Sequence, residues 1–332
     1  MRRGARKWSV LRAIVALGFA ASAAWATGRV MTDSIAVIQS VHWIPTVVAL
    51  GFTVSACSCA GLLRRRRTLV ALIVIAVVQA GFVLAQDWHP WRRATDSVRG
   101  GPGRLRIAHL NANWPGAGSR RFAEALATVT RLAFGPDGAD IVMISERGDI
   151  LASANEAAMI PPNVQAIVVG RFAVISRVKV TRAKPLFDDG SVAAVLVEFE
   201  VDPRQGPMRV LLIDTPSSPG RSRIAVMDSL RGWIDRTLEG APDLVIGDFN
   251  TPGGAASVRS IMSGLTEAFD LAGTGWGGTF PRTFPLWHID QLWCGPRVTP
   301  CAYETIDPGI GQHRAQAAVL ELSSMLTPSG VP

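Results

Sequence analysis

A carboxylate and an amide lie two residues apart in the segment Gly247-Asp248-Phe249-Asn250, directly after an apolar run at 244–246. The run predicts a buried β-strand, and the glycine predicts the turn that ends it. Polar side chains at the exit of a buried strand are held rigidly and face one mouth, which suits them to hold an activated water or a metal-bound phosphate. Because Gly, Asp and Asn are also ordinary turn residues, this interpretation depends on partners elsewhere in the chain.

Similar polar residues occur at other predicted strands. They are Asn111 and Asn113 in a strand at 105–113, Glu146 at the end of a strand at 140–146, Asp290 in a strand at 286–294, and His313 near the start of a strand at 312–322. Asn111 and Asn113 share one face, because side chains two residues apart in a strand point the same way. Carboxylate, amide and imidazole groups gathered from separate strands can activate water and stabilise developing negative charge.

The elements between these residues indicate the fold class. Helices are predicted at 118–134, 221–238 and 258–262, and further strands at 166–169, 172–176, 192–201 and 208–213. The first two of these strands form a predicted hairpin. Hairpins mixed with intervening helices predict an α/β fold of two packed sheets with helices outside, rather than a doubly wound parallel sheet.

Charge is distributed unevenly along the 332 residues, whose net charge is +8. Residues 1–85 carry ten Lys/Arg residues and one acid, Asp33, whereas residues 86–332 carry 24 Lys/Arg residues and 25 Asp/Glu residues. The positive balance therefore belongs to the apolar N-terminal part. Nucleic-acid binding needs clustered positive charge on the domain itself, so this distribution speaks against nucleic acid as a partner.

Three apolar stretches, at about 9–28, 43–63 and 68–85, approach the roughly 20 residues needed to cross a bilayer. The second and third contain no charged residue. Arg12 lies near the start of the first, where its long side chain can reach the membrane interface. We therefore predict that residues 1–85 form a membrane anchor of three transmembrane helices.

Basic residues around these stretches predict their orientation. Four Lys/Arg residues precede the first stretch, and four consecutive arginines at 64–67 separate the second from the third. Because positive loops stay in the cytoplasm, we expect the N-terminus and the arginine block inside, and the loop at 28–42 outside. Everything after the third helix is then extracytoplasmic. Ala24-Trp25-Ala26 also resembles a signal-peptide cleavage site, and cleavage there would still leave the domain outside.

Residues 86–103 have the composition of a juxtamembrane linker. Trp88, Trp91 and the arginines at 92–93 suit the headgroup region, and the Gly-Gly-Pro-Gly sequence at 100–103 is a flexible break. A folded domain is predicted at 104–323, and a flexible tail at 324–332.

The four cysteines divide two and two. Cys57 and Cys59 lie in the second apolar stretch and are interpreted as packing residues. Cys294 and Cys301 lie in the predicted exported domain, where either a disulfide or two buried thiols would be compatible with the compartment.

The polar residues, in their order along residues 104–323, resemble those of the endonuclease/exonuclease/phosphatase superfamily. Asn111 resembles the first-strand Asn of that family and Glu146 its metal-binding Glu, while residues 247–250 match its Gly-Asp-Phe-Asn signature. Asp290, in His-Ile-Asp, resembles the Asp that orients a catalytic His, and His313 resembles that His. The resemblance implies a four-layer α/β-sandwich.

Three membrane segments before such a domain also resemble the membrane-anchored bacterial phosphatases of this superfamily, some of which are linked to glycopeptide resistance and act on polyprenyl pyrophosphate. The sequence Gly-Thr-Phe-Pro at 278–281 is similar to that branch. The resemblance implies a hydrolase for a phosphate ester or pyrophosphate, with a phosphorylated, lipid-linked substrate as its partner at the membrane.

The resemblance also implies a role for each site residue. Metal ligands would be Glu146, Asn111 and Gln312, holding Mg²⁺ or alternatively Mn²⁺, because Mg²⁺ prefers hard oxygen ligands. Asp248 would accept a proton from the attacking water, Asn250 would orient that water, and Asp290 would fix the tautomer of His313. Substrate contacts would come from Asn113 and Asp214. Apart from the resemblance, Arg221 follows a Ser-Ser-Pro-Gly loop and opens a helix, where it could either clamp a substrate phosphate or be a solvated residue at the helix start.

Three positions depart from the family pattern. Gly311-Gln312-His313 stands where the family usually has Ser-Asp-His, Asp214 stands where the branch often has His, and Gln291 follows Asp290 where His is common. The first two departures concern the metal environment. Asp214 could be a second acid at the mouth, or a metal ligand that replaces the charge missing at Gln312.

Two other functions are compatible with the same residues. An extracytoplasmic nuclease or phosphodiesterase could use the same groups, and a site altered at 312 and 214 could belong to a membrane-tethered binding module without catalysis. An enzyme is favoured over the binding module, because a decayed site need not retain all of Glu146, Asp248, Asn250, Asp290 and His313.

Overall fold

The computed structural model describes residues 2–92, 103–113, 120–135, 138–148 and 159–323, with side chains from residue 8 onward except at 121–122. The predicted tail at 324–332 and the linker residues 93–102 lie outside this description.

The N-terminal part is helical. Helix α1 is Arg2–Met31, α2 is Ala36–His42, α3 is Thr46–Leu62 and α4 is Arg66–Phe82, which continues as a π-helix over Val83–Asp87. The spans Trp8–Met31 and Arg66–Asp87 are each long and apolar enough to cross a membrane, and α2 with α3, bent by 66°, would make a third. The described N-terminus thus contains two such spans, or three if the bent pair is one.

Small residues let these helices approach closely. A Cβ atom at Gly18 would lie 2.4 Å from the Cβ atom of Ala56, so α1 and α3 touch at this point. Nearby, the hydroxyl groups of Ser22 and Thr53 lie 2.8 Å apart in the buried interior of the bundle. Close contact between small residues is how helices associate where lipid offers no hydrophobic advantage. Cys59 is buried in the same cluster as a free thiol.

The rest of the chain contains β-strands and short helices. The strands are β1 Trp88–His89, β2 Arg104–Asn111, β3 Ile141–Ser145, β4 Gln165–Val169, β5 Phe172–Ser176, β6 Lys179–Asp188, β7 Ala193–Glu200, β8 Met208–Asp214, β9 Leu244–Asp248, β10 Thr266–Glu267, β11 Gly275–Trp276, β12 Asp290–Cys294, β13 Val298–Ile306 and β14 Ala315–Leu322. The helices are α5 Arg120–Phe134, α6 Arg223–Thr237, α7 Ala256–Ile261 and α8 Ala268–Ala272.

Two six-stranded mixed sheets form the centre of this domain. One has the order β10-β12-β9-β8-β7-β6 and the other β13-β14-β2-β3-β5-β4. Among the strands of these two sheets that the structure describes, only the pairs β2–β3 and β8–β9 are parallel, and each lies at the middle of its sheet. The largest apolar cluster contains residues of both sheets, and two further clusters contain residues of α5 and of α6 with α7. The predicted fold of two packed sheets flanked by helices is therefore confirmed.

Several boundaries differ from the sequence prediction. Strand β6 was not predicted because it is an edge strand with mostly exposed residues, and β13 was missed because Pro300 and a bulge between Pro300 and Ala302 interrupt its pattern. Strand β12 begins at Asp290 rather than at 286. Strand β14 begins at Ala315, so that His313 lies in the loop before it.

The first part of the predicted linker is structured. Strand β1 pairs with β11, and the ring of His89 stacks on Phe269 at a centroid distance of 4.6 Å. The guanidinium group of Arg92 donates to the carbonyl oxygens of Phe269 and Asp270. Residues 83–92 therefore connect α4 directly to the domain surface instead of forming a free tether. In the domain, Cys294 and Cys301 are free thiols.

Candidate functional site

Three strand ends bring three acids side by side. In the parallel pair β8–β9, Asp214 lies opposite Asp248, and in the antiparallel pair β9–β12, Asp248 lies opposite Asp290. All three carboxylates are buried. Asn111, at the end of β2 in the other sheet, donates from Nδ2 to Oδ2 of Asp248 at 2.9 Å. The site thus lies where the edges of the two sheets meet.

The turn after β9 is built around a glycine and an Asx-type hydrogen bond. A Cβ atom at Gly247 would lie 1.8 Å from the carbonyl oxygen of Ile213, so only glycine permits this approach of β9 to β8. The backbone N–H of Asn250, whose φ is 44°, donates to Oδ1 of Asp248 at 2.7 Å. The side-chain amide of Asn250 donates to the carbonyl oxygen of Thr215 at 2.7 Å. These contacts fix both residues relative to β8.

His313 and Asp290 form a buried pair. Nδ1 of His313 lies 2.8 Å from Oδ2 of Asp290, and the backbone N–H of Asp290 donates to the hydroxyl of Thr279. Burial opposes the charge of the ring, but the charge of Asp290 and its hydrogen bond outweigh burial and raise the pKa of His313 to about 9. Burial likewise opposes ionisation of Asp290, yet the neighbouring His313 lowers its pKa. The pair is therefore an imidazolium and a carboxylate at neutral pH.

The other two acids are less acidic than usual. Burial, followed by the charge of Asp290, raises the pKa of Asp248 well above its ordinary value. Burial, followed by the charge of Glu146, raises the pKa of Asp214 to about 7, although NH1 of Arg171 lies 3.1 Å from Oδ2 of Asp214. A cluster of carboxylates that repel one another in this way is suited to bind a cation, because the positive charge offsets the repulsion.

Glu146 follows β3 directly and is exposed, with a φ of 48°. Among the described residues, its carboxylate has no hydrogen bond or ion pair, while its charge raises the pKa values of both Asp214 and His313. Glu146 therefore belongs to the same group of interacting charges as Asp214 and His313. Ser145, the residue before Glu146, lies opposite Asn111 in the β2–β3 pair. A carboxylate and an amide oxygen provide the hard oxygen donors that Mg²⁺ prefers, so Glu146 and Asn111 fit a divalent cation.

Asp248, Asp290 and His313 could also offer one ligand atom each, since these atoms lie within 4.8 Å of one another. However, the Nδ1 atom of His313 is already bonded to Asp290, and Asp248 accepts bonds from Asn111 and Asn250. These internal bonds favour a role in proton handling for the three residues. The carboxylate of Glu146 makes no such bond to the described residues, so Glu146 is the better position for a metal. The side-chain oxygen of Asn111 accepts one bond, from the backbone of Asn113, and keeps a second lone pair for a cation.

Three residues with predicted site roles lie at the margin. The side chain of Asn113 is exposed, and its backbone N–H donates to Oδ1 of Asn111 at 2.9 Å. Gln312 is exposed, and its backbone carbonyl oxygen accepts the backbone N–H of Arg282. Arg221 is exposed and donates to the hydroxyl of Ser191. Among the described contacts, neither Gln312 nor Arg221 bonds to the central acids.

Arg171, which was not predicted from the sequence as a site residue, lies in the tight turn between β4 and β5. Its guanidinium group bridges Asp214 and Asp188, at 3.1 and 2.7 Å. Nothing in the local sequence distinguishes this arginine from a solvated turn residue, since both acids are distant along the chain. Phe280 was also missed as a site residue, and its ring lies 5.1 Å from that of His313.

The other two histidines of the domain are structural. His288 pairs with Glu267 at 2.8 Å and contacts the carbonyl oxygen of Gly277. His109 is buried between the hydroxyl of Ser145 and the amide of Gln316. Burial lowers the pKa of His109 to about 4, so this ring is neutral at physiological pH.

The fold and the site define a class of hydrolase in which acids, amides and one histidine converge between two packed sheets. The model of the endonuclease/exonuclease/phosphatase family matches residues 108–313, and the chain belongs to this family. Members of the family are phosphoesterase or nuclease hydrolases that generally use divalent metals. No curated protein matches the sequence.

Solved structures are similar in fold. An endonuclease/exonuclease/phosphatase family protein from Bacteroides thetaiotaomicron has a TM-score of 0.53 at 15% identity, over 68% of this chain and 100% of that one. A mannosyl-6-phosphatase from Bacteroides thetaiotaomicron VPI-5482 has a TM-score of 0.53 at 16% identity, over 65% and 99%. Humanized D. rerio TDP2 has a TM-score of 0.51 at 14% identity, over 66% and 99%. At these identities the similarity establishes the fold alone.

Proposed function

We propose that this protein is a membrane-anchored, Mg²⁺-dependent phosphoesterase that hydrolyses a phosphate ester or pyrophosphate at the outer membrane face. A lipid-linked pyrophosphate, such as a polyprenyl pyrophosphate, is the proposed substrate, as in the membrane-anchored phosphatase branch that the sequence resembles. The observation that carries the proposal is the convergence of Asp248, the Asp290–His313 pair and Glu146 on one mouth.

Hydrolysis of a phosphate ester depends mainly on positioning and on stabilisation of charge. Asp248 accepts a proton from the attacking water, and its raised pKa makes it a stronger base than an ordinary aspartate. Two bonds, from Asn111 and from the backbone of Asn250, hold this carboxylate in one orientation. The amide of Asn250 is itself fixed by Thr215, which leaves its oxygen to orient the water.

His313 supplies positive charge on the other side of the mouth. Because Asp290 binds Nδ1, the protonated Nε2 atom is the one that can donate to a phosphoryl oxygen. Such a fixed donor stabilises charge that develops on the phosphoryl group. Arg171, held by two acids, offers a second fixed cation for a phosphate oxygen.

Glu146 and Asn111 would hold the divalent ion, with Mg²⁺ as the first choice and Mn²⁺ as the alternative. When bound, the ion would polarise a phosphoryl oxygen. In this proposal, Asp214 supplies the negative charge that the family pattern provides through an acid at the position of Gln312. If Asp214 compensates for that missing acid, Asp214→Ala will change the Mg²⁺ dependence of activity, and an unchanged dependence would refute the compensation.

Two observations support the extracytoplasmic location. The positive-inside rule puts the loop at 28–42 and the domain on the same, outer side. In agreement, Asp33 and Gln39 of that loop bond directly to the domain, at Ser257 and Arg223. The site is thereby held next to the outer ends of the membrane helices, where a lipid headgroup would lie.

One experiment separates this function from its alternatives. The full chain in detergent would be offered farnesyl pyrophosphate, bis(p-nitrophenyl) phosphate and single-stranded DNA, each with and without Mg²⁺. We expect phosphate release from the pyrophosphate only with Mg²⁺, and loss of this activity in Asp248→Ala and His313→Ala. Cleavage of DNA would instead support a nuclease. Folded protein without turnover of any of the three would support a binding module.

A further inference from the structure

The segment between the first two membrane helices, residues 33–43, contacts the domain next to three strands of the site. It bonds to the loop after β8, to α7 after β9, and to Trp287 just before β12. These three strands carry Asp214, Asp248 and Asp290. A segment that served only to attach the domain to the membrane would not need contacts beside each of the strands β8, β9 and β12.

Gln39 makes the densest of these contacts. Its side chain, which is 3% exposed, donates from Nε2 to the carbonyl oxygens of Pro219 and Arg221, at 2.8 and 2.9 Å. Its Oε1 accepts the backbone N–H of Arg223 at 2.8 Å. Both hydrogens of the amide and its oxygen are thus used on one loop, residues 216–223, which links β8 to α6.

The same loop is held from inside by Arg223. This guanidinium group is completely buried and donates to the carbonyl oxygens of Pro216 and Ser218. It also lies 5.8 Å from the ring of Trp43, which belongs to the anchor segment. The loop is therefore tied to the anchor through both its backbone and its buried arginine.

The loop begins one residue after Thr215, and Thr215 is bonded to the turn of the site. Its carbonyl oxygen accepts the side-chain amide of Asn250, and its backbone N–H donates to the carbonyl oxygen of Asp248. A shift of the loop is transmitted through Thr215 to the group that orients the attacking water. The chain of contacts runs from Gln39 through the loop and Thr215 to Asn250.

We infer that Gln39 is a positioning residue of the active site, and that the anchor segment at 33–43 is a structural part of that site. The effect of Gln39 on catalysis rests on the proposed function, whereas its effect on the position of the loop at 216–223 does not. If the contacts between residues 33–43 and the domain only held the two parts together, loss of the Gln39 hydrogen bonds would lower stability and leave the geometry of Asn250 unchanged. The two cases therefore differ in turnover and in the protection of the loop.

The test compares Gln39→Met with the wild-type full chain in lipid nanodiscs. Methionine keeps the length of the side chain and removes all three hydrogen bonds. Thr53→Val is the matched control, because it removes the buried bond to Ser22 inside the membrane bundle and lies away from the loop. Three quantities are measured: hydrogen exchange of the amides at 214–223 and 249–251, the thermal midpoint, and kcat and KM for farnesyl pyrophosphate.

In Gln39→Met we expect faster exchange in both segments and a fall in kcat of at least about tenfold, with KM changed by less than about twofold. The Thr53→Val control should keep wild-type exchange and kcat, even if its thermal midpoint falls. Unchanged exchange, or a kcat within twofold of wild type, would overturn the inference.

If Gln39→Met does not fold, Gln39→Glu replaces it in the same comparison with the wild type. It keeps the acceptor for Arg223 and replaces two donated bonds with repulsion between a carboxylate and two carbonyl oxygens, so the same changes are expected. If the wild type hydrolyses no farnesyl pyrophosphate, the proposed function fails on this substrate. The exchange comparison then still decides whether Gln39 positions the loop.

Discussion

Nε2 of His313 lies 3.9 Å from Oδ2 of Asp248, while Nδ1 of the same ring lies 2.8 Å from Oδ2 of Asp290. One imidazole thus stands between two carboxylates that are opposite each other on neighbouring strands. Asp290 keeps the ring charged, and the ring partly offsets the repulsion that raises the pKa of Asp248. The pKa values of Asp248, which would activate water, and His313, which would stabilise the phosphate, therefore depend on each other.

Asp290→Asn tests this coupling through the pH profile. Without the carboxylate, His313 loses the cause of its raised pKa, so the imidazolium form should disappear at lower pH. We expect the basic limb of kcat/KM to move from about 9 toward 6.5, and kcat/KM at pH 8 to fall by at least about a hundredfold. Asp202→Asn, which changes an acid paired with Arg204 on a turn, should leave both unaffected. An unmoved basic limb would exclude His313 as the titrating group.

Glu146→Gln tests the metal position. The amide lacks the negative charge that attracts a divalent cation, so half-maximal activity should require at least about tenfold more Mg²⁺. The rise in thermal midpoint that Mg²⁺ produces by binding the folded state should shrink accordingly. Glu304→Gln, at an exposed acid on β13, is the control. An unchanged Mg²⁺ requirement would place the ion elsewhere.

Arg171→Ala tests the arginine that bridges Asp214 and Asp188. Its loss removes a fixed cation from the mouth and leaves Asp214 without its ion pair, so the pKa of Asp214 should rise above about 7. We expect KM for the phosphorylated substrate to rise about tenfold, as a lost charged hydrogen bond predicts. Arg182→Ala removes an exposed arginine of β6 and should leave KM unchanged. A normal KM in Arg171→Ala would show that this arginine does not contact phosphate.

His109→Gln tests a pH effect on stability that is separate from catalysis. Burial lowers the pKa of His109 to about 4, so below pH 6.5 the unfolded chain binds a proton that the folded chain does not. Stability is therefore lost as pH falls from 6.5 toward 4, by about 3 kcal/mol for this group at the low end. The thermal midpoint of the glutamine variant should fall less between pH 7 and pH 4.5 than that of the wild type. Parallel pH curves would contradict a buried neutral His109.

Neutralising the arginine block at 64–67 tests the membrane orientation. Positive charge keeps this loop in the cytoplasm, so four glutamines there should weaken the preference for an outer domain. A C-terminal reporter that is active only outside the cytoplasm should be active on the wild type and lose activity on the variant. If the reporter is as active on the variant with four glutamines as on the wild type, other segments set the orientation.

Much of the candidate site could be predicted from local sequence. An apolar run followed by glycine specifies a buried strand and its exit, which is why Asp248 and Asn250 could be identified as site residues before their neighbours were known. Apolar length and flanking arginines specify candidate membrane spans in the same way. Such properties depend on residues adjacent in the chain, and periodicity and hydrophobicity report on them directly.

Other features depend on which distant strands lie side by side, and local patterns do not contain that information. Arg171 meets Asp214 because the turn between β4 and β5 of one sheet faces the end of β8 in the other. Gln39 meets Arg223 across 184 positions because the anchor folds back onto the domain. An isolated arginine or glutamine has no periodicity to indicate its partner, since its contribution depends on a hydrogen bond that exists only after the chain has folded. The sequence by itself thus determined which residues at the strand ends are candidates for the site and which spans are candidates for the membrane, whereas only the tertiary structure decided how the N-terminal helices and the candidate site are joined.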